Sequence, residues 1–269
     1  MSFLESHKFR VFIVIFVSLL LAIFCTVMLL NNIEIDKENS VNGYYIQVST
    51  EVTVFVIITL LVTVLFIVLA INKSNKTSTI ANIDTSTVVF TSALLGFMLA
   101  TTGIYSIYIY LGNIPKIILS VLMVFASLPY LYSSLFKNKT KMHLLPYMNI
   151  ATIFFIMYRL ILDFIDQNSM PVNISGAIHI ISLIFLLLFL IQDGKTYMSN
   201  KVTNLFVAFG YLAAFMLLLH GLPHLLLSAF WILTLDSSVL VSAVDIIFAI
   251  HIFNTLYNIN ENKNLSTET

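Results

Sequence analysis

The sequence predicts an all-α fold, a polytopic integral membrane helical bundle of about eight transmembrane helices. Hydrophobic residues make up 59% of the 269 residues and charged residues only 10%, whereas soluble domains are about half apolar and a quarter charged. Apolar stretches of roughly 20 residues, enough to cross ~30 Å of hydrocarbon, follow one another from residue 11 to residue 259. This pattern excludes a soluble globular fold.

Four spans are predicted in the first half of the chain, at 11–30, 52–71, 88–111 and 117–136. The first contains the lone cysteine, Cys25, after large apolar residues where a lipoprotein signal would need small ones, so we expect a retained span. The third has Ser92, Gly96 and Ala100 at every fourth position. Because small residues at this spacing let membrane helices approach closely, we expect tight packing there.

Four further spans are predicted in the second half, at 147–165, 174–191, 202–220 and 239–257. The stretch 221–235 follows the seventh and contains Pro223. It is too short to cross a bilayer comfortably and too apolar for an ordinary loop. We therefore predict a re-entrant or interfacial segment there, with a short, strongly tilted ninth span as the alternative.

The basic residues predict the orientation, because lysine and arginine concentrate beside the cytoplasmic ends of spans. With the N-terminus in the cytoplasm, nearly all of them fall on that side: Lys8, Arg10, Lys73, Lys76, Lys137, Lys139, Lys141, Lys195 and Lys201. Only Lys37 and Lys116 fall outside. We therefore expect a multi-pass protein of the cell membrane with a cytoplasmic N-terminus and, with eight spans, a cytoplasmic C-terminus.

No linker marks a second domain, so residues 1–269 are predicted to form a single transmembrane domain. A basic cytoplasmic loop after residue 136 joins two halves, 1–136 and 147–259. The two halves differ in chemistry, because the span interiors of the first contain no ionisable side chain and those of the second contain several. Any polar site is therefore expected in the second half.

Six ionisable side chains in the second half are predicted to share one depth, near the outer ends of four spans. An ionisable group in hydrocarbon costs on the order of 3 kcal/mol or more unless it is paired or hydrated, so a common depth indicates a common pocket. The six candidate substrate- or ion-pocket residues are Arg159, Asp163, His179, His220, His224 and Asp245.

Two pairings are expected within this set. Arg159 and Asp163 are four residues apart, on one face of the fifth span, so they can form an ion pair. Asp245 has no basic residue one turn away on its own span, so we expect it to pair across helices with Arg159 or with a histidine.

The histidines carry a separate prediction of metal binding. His220 and His224 have a spacing that suits Zn²⁺ on a helix, although Pro223 between them interrupts regular helical geometry. The chain has the motifs Ser175-x-x-x-His179 and His220-x-x-x-His224, with Asp163 and Asp245 nearby. This set resembles the motifs of the seven-helix zinc hydrolases that include alkaline ceramidases and the progestin and adiponectin-type receptors. That resemblance implies zinc held by His179, His220 and His224.

This chain departs from that family in two respects. The family separates its two histidine motifs by most of the bundle, whereas here they fall on neighbouring spans, and the intervening aspartate helix is missing. We therefore do not assign the chain to the family. Apart from this possible zinc ion, no cofactor is predicted.

Three function classes remain, and no motif identifies an enzyme. The first is a transporter or permease-like membrane subunit with an outward-facing polar pocket, favoured by the interruption around Pro223. The second is an accessory or assembly membrane protein without catalysis, and the third is an intramembrane metal-dependent hydrolase. The expected partners are the lipid bilayer and another membrane or energy-coupling subunit. A net charge of zero argues against nucleic acid.

Overall fold

The computed structural model describes residues 7–32, 50–71, 86–135, 144–168, 174–199, 201–229 and 237–259. In this part of the chain eight helices form an all-α bundle, as predicted. They are α1 His7–Asn32, α2 Thr50–Ile71, α3 Ser86–Ile109, α4 Ile114–Leu135, α5 Leu145–Asn168, α6 Ile174–Ser199, α7 Asn204–Ala229 and α8 Ser237–Tyr257. All eight are long and apolar enough to cross a membrane, which supports a multi-pass membrane protein.

Successive helices run in opposite directions, so the beginning of α1 and the end of α8 lie at the same end of the bundle. His7 Nε2 is 2.7 Å from the Leu256 carbonyl oxygen of α8. Arg10 Nη1 donates to the Leu69 carbonyl at 3.4 Å, which places the end of α2 there too. Both contacts bring a side chain that can carry positive charge to the carbonyl end of a helix, where the helix dipole favours cations. We call this the terminal end, and the other the opposite end.

Helix α7 is the central helix and α2 is the most peripheral one. In the apolar stretch of α7, 83% of the residues are buried inside the protein, compared with 17% in that of α2. α7 contacts α1, α2, α6 and α8, and its aromatic residues Tyr211 and Phe215 pack edge-on against Phe66 of α2. The two predicted halves therefore pack on one another, with α3 also contacting α8.

Tight packing of the third span is present between α3 and α4. A Cβ atom at Gly96 would lie 2.8 Å from the Leu131 side chain, and one at Gly103 would lie 3.0 Å from the Ser120 carbonyl oxygen. Both distances are too short for a larger residue without a shift of α4. The two glycines thus allow the close helix contact that the small residues of this span predicted.

The predicted break after residue 220 is wrong. α7 continues through Gly221 and Pro223 to Ala229, so residues 221–229 are not a separate re-entrant segment; residues 230–235 lie outside the described part of the chain. A proline removes one backbone donor, but membrane helices tolerate it where neighbours pack around the site. Here Gly221 lets α8 approach closely, since a Cβ there would lie 3.0 Å from the Ser242 carbonyl oxygen.

The predicted end of the sixth span is also wrong. α6 continues beyond residue 191 to Ser199. Asp193 and Lys195 therefore belong to the helix and not to a polar connector. Hydropathy ended the span where charged residues begin, but the backbone hydrogen bonds of a helix do not depend on that change.

Candidate functional site

Arg159 of α5 makes a buried ion pair with Asp245 of α8. Its Nη1 donates to Asp245 Oδ1 at 2.6 Å and its Nη2 donates to Asp245 Oδ2 at 2.7 Å. Two parallel charge-assisted hydrogen bonds form the strongest arrangement available to an arginine and a carboxylate. The side chain of Arg159 is 3% exposed and that of Asp245 is 0% exposed. This pair therefore connects α5 and α8 inside the bundle.

Asp163 is a second and weaker partner of Arg159. Asp163 lies one turn further along α5, and its Oδ2 is 3.6 Å from Arg159 Nε. Its side chain is 28% exposed. The intrahelical pair expected from the spacing is present, but the principal partner of Arg159 is Asp245, which has the shorter distances and the deeper burial.

His179 of α6 lies between Arg159, which is a hydrogen-bond donor, and Asp163, which is an acceptor. Its Nε2 is 3.1 Å from Arg159 Nη2 and 3.2 Å from Asp163 Oδ2. A neutral imidazole nitrogen either donates or accepts, so His179 Nε2 can accept from Arg159 or donate to Asp163, but not both. The position of one proton on the imidazole ring therefore decides whether His179 Nε2 hydrogen-bonds Arg159 or Asp163.

The two histidines of α7 extend this network. His220 Nδ1 is 3.7 Å from Asp245 Oδ2. The imidazole rings of His179 and His220 have centroids 4.0 Å apart, and those of His220 and His224 are 5.1 Å apart. His220 and His224 share one face because α7 stays helical through Pro223.

The structure thus brings all six predicted residues together, and we name them the arginine cluster: Arg159, Asp163, His179, His220, His224 and Asp245. They come from α5, α6, α7 and α8, and they lie nearer to the opposite end than to the terminal end. The cluster contains two carboxylates, one guanidinium and three imidazoles. With neutral histidines it has one negative charge in excess.

The geometry of the histidines does not correspond to a metal site. Within the described residues, no group of three or more histidine, cysteine, aspartate or glutamate side chains is arranged to hold a metal ion. The Nε2 atom of His179 faces the Arg159 guanidinium, which would repel a cation bound to that atom. Zinc held by His179, His220 and His224 stays a prediction without geometric support.

A second polar group was missed in the sequence, because the sixth span was predicted to end too early. Asp193 of α6 accepts a hydrogen bond from Asn149 Nδ2 of α5 at 3.1 Å. Tyr130 of α4 and Thr152 of α5 lie close by, and Tyr197 lies one turn from Asp193 on α6. We name these residues the Asp193 cluster: Asp193, Asn149, Tyr130, Thr152 and Tyr197. The spacing of Asp193 and Tyr197, four residues apart, was the available signal.

A polar seam between α3 and α8 adjoins the Asp193 cluster. Thr91 Oγ1 is 3.2 Å from His251 Nδ1 and accepts a hydrogen bond from Asn254 Nδ2, also at 3.2 Å. The ring of His251 packs edge-on against Tyr130, with centroids 5.5 Å apart. This seam and the Asp193 cluster both lie towards the terminal end.

Comparisons with known protein families, with curated proteins and with solved structures found no match.

Proposed function

We propose that this protein is a transporter or permease-like membrane subunit, and that the arginine cluster is its polar site. The observation that carries the proposal is the content of the cluster. A structural cross-link between α5 and α8 needs only Arg159 and Asp245, which already neutralise each other. Asp163 and three histidines add ionisable groups that this pair does not require, and such groups in a membrane bundle mark sites of ion or substrate passage.

The charges of the cluster favour a cation or a proton as the bound species. Asp163 is the carboxylate in excess of the Arg159–Asp245 pair, and His179 contacts its Oδ2 atom. The carboxylate oxygens of Asp163 and a neutral imidazole nitrogen of His179 offer sites for one proton. A metal cation could use only the carboxylate oxygens, because Arg159 lies beside His179 Nε2. We propose no larger substrate, because no described contact defines one.

The exposure of the side chains favours access from the opposite end. Asp163 is 28% exposed, whereas Arg159 and Asp245 are almost completely buried. Asp163 is also the one of these three that is closest to a helix terminus at that end. We propose that water reaches the cluster past Asp163.

The orientation in the membrane is part of the proposal. The distribution of lysine and arginine supports a terminal end in the cytoplasm, in which case the arginine cluster opens outward. Labelling of a single cysteine introduced after Tyr257 by an impermeant reagent, in intact cells and in opened cells, tests this. Labelling in intact cells would contradict a cytoplasmic terminal end.

Charge movement on ion binding tests the proposed site without knowledge of a larger substrate. Proteoliposomes adsorbed to a solid-supported membrane are exposed to a rapid jump in proton or sodium concentration, and the transient current is recorded. The wild-type protein should give a transient for one of the two ions. Asp163→Asn should lose most of that current, because the surplus carboxylate has gone.

Asp166→Asn provides the matched control. Asp166 lies on the same helix, three residues further on, and is exposed. Its neutralisation should leave the transient unchanged. Equal currents from wild-type and protein-free membranes, or equal losses in the two variants, would contradict the proposed site.

Single cysteines test whether water enters the cluster. Cysteine at His179 should react with a small charged thiol reagent applied from the side of the opposite end, and cysteine at Ile181, an exposed apolar position two residues away on α6, should not. A lack of reaction at both positions would contradict water access.

An accessory or assembly protein is the second candidate, favoured by the depth of burial of the Arg159–Asp245 pair. It predicts that Asp163→Asn changes neither ion-induced current nor any other function while the fold is retained. Metal analysis of the purified protein separately tests the hydrolase alternative, which requires stoichiometric zinc.

A further inference from the structure

We infer that Asp193 is a proton-binding carboxyl group and forms a second site, at the terminal end of the bundle. The inference is carried by the contacts of Asp193 itself and does not depend on the function proposed for the arginine cluster. Asp193 is about six residues, or ~9 Å, inside the end of α6. Asp193 is half-buried and faces Asn149, a buried residue of α5.

The first argument is the lack of a counter-ion. Within the described part of the chain, no lysine, arginine or histidine forms a salt bridge with Asp193. Lys195 lies on the same helix but is exposed. An ionised carboxylate without a counter-ion is costly in a membrane bundle, and uptake of a proton removes that cost.

The second argument is the chemistry of the groups around the carboxyl. Asn149 presents its amide nitrogen, a donor, at 3.1 Å. Among the described residues, the phenols that lie near Asp193 are those of Tyr130 on α4 and of Tyr197 on α6 itself. His251 lies beyond Tyr130. A sodium site requires several oxygen acceptors directed at one point, whereas here a donor is directed at the carboxyl.

The third argument is separation from the arginine cluster. Asn149 and Arg159 are ten residues apart on α5, about 15 Å along the helix axis. Phe155 of α5, Leu186 of α6 and Phe248 of α8, all fully buried, occupy the intervening levels of these helices. Asp193 is thus a separate group with its own surroundings.

Reaction with dicyclohexylcarbodiimide tests the inference, because this apolar reagent modifies carboxyl groups in membranes when they are protonated. The full-length protein in liposomes is treated at a series of pH values, and the modified residues are located by peptide mass spectrometry. Asp193 should be modified near neutral pH, with the labelled fraction falling as the pH rises. Asp245 should remain unmodified in the same sample, because Arg159 pairs with it.

Two variants keep the test independent of folding. Asp193→Glu retains a carboxyl and should be labelled, whereas Asp193→Asn should lose this adduct and no other. Asn149→Leu removes the donor to the charged form and should increase the labelled fraction at alkaline pH. Absence of an adduct at Asp193 across the pH series would overturn the inference. So would protection by added sodium chloride but not by choline chloride, which would show that the carboxylate binds sodium.

Discussion

The arginine cluster and the Asp193 cluster place carboxylates inside the same helices in two different ways. At the arginine cluster, Asp245 is matched by a guanidinium from another helix through two short hydrogen bonds. At the Asp193 cluster, the carboxyl has one amide donor, Asn149, and no salt bridge within the described residues. A charge in a membrane bundle can therefore be neutralised by a partner side chain or by a proton.

The difference predicts opposite responses to mutation. Removing one member of a buried ion pair leaves the other charge uncompensated, which costs far more than the pair itself contributes. A carboxyl without a counter-ion has no such dependent partner. The stability of the protein should thus be sensitive to substitutions at Arg159 and Asp245 and tolerant of substitutions at Asp193.

The largest effect is expected for Arg159→Met. Asp245, completely buried, would lose both of its short hydrogen bonds, so the free energy of unfolding should fall by about 3–5 kcal/mol. Thermal unfolding of the detergent-solubilised protein measures this. The double variant Arg159→Met with Asp245→Leu should be more stable than Arg159→Met alone, and an additive loss in the double-mutant cycle would show that the two residues are not coupled.

A smaller difference in the free energy of unfolding is expected between Asp245→Asn and Asp193→Asn. The first leaves Arg159 without its charge partner and should lower the free energy of unfolding by about 2 kcal/mol, since hydrogen bonds between charged groups contribute about 1.5–3 kcal/mol. The second exchanges similar shapes without breaking an ion pair and should change it by less than about 0.5 kcal/mol. The same unfolding measurement on both variants compares them; equal losses would remove the distinction between the two clusters.

An effect between those of Asp245→Asn and Asp193→Asn is expected for Asn149→Leu. This substitution removes the hydrogen bond to Asp193, and a single hydrogen bond contributes about 1 kcal/mol. In an Asp193→Leu background the same change should have almost no effect, because the bond is already absent. If Asn149→Leu is equally destabilising in both backgrounds, the loss arises from packing on α5 and not from contact with Asp193.

The eight helices were predictable because each depends on a local property, the apolar content of about 20 successive residues. The two errors in helix bounds have a common cause. At Pro223 and at Asp193, a residue that ordinarily interrupts an apolar span is accommodated by neighbouring helices. Such accommodation depends on residues far away in the sequence, such as Ser242 near Gly221 and Asn149 near Asp193.

The six residues of the arginine cluster were predictable as a set for a similar reason. Their depth follows from counting residues along each span, and ionisable groups in hydrocarbon are rare enough to be conspicuous. The partners within the set were harder to assign. Spacing along α5 indicated Asp163 for Arg159, but the structure shows shorter contacts with Asp245.

The sequence by itself thus determined that this is a helical membrane protein with eight spans, and that the six residues of the arginine cluster occur at a similar level of the bundle. Only the tertiary structure decided which charge faces which. The rotation of each helix about its own axis selects the pairing, and it depends on non-local packing such as that of α8 against Gly221 of α7. Hydropathy is a sum along the chain and contains no information about that rotation, whereas contact between Arg159 and Asp245 requires it.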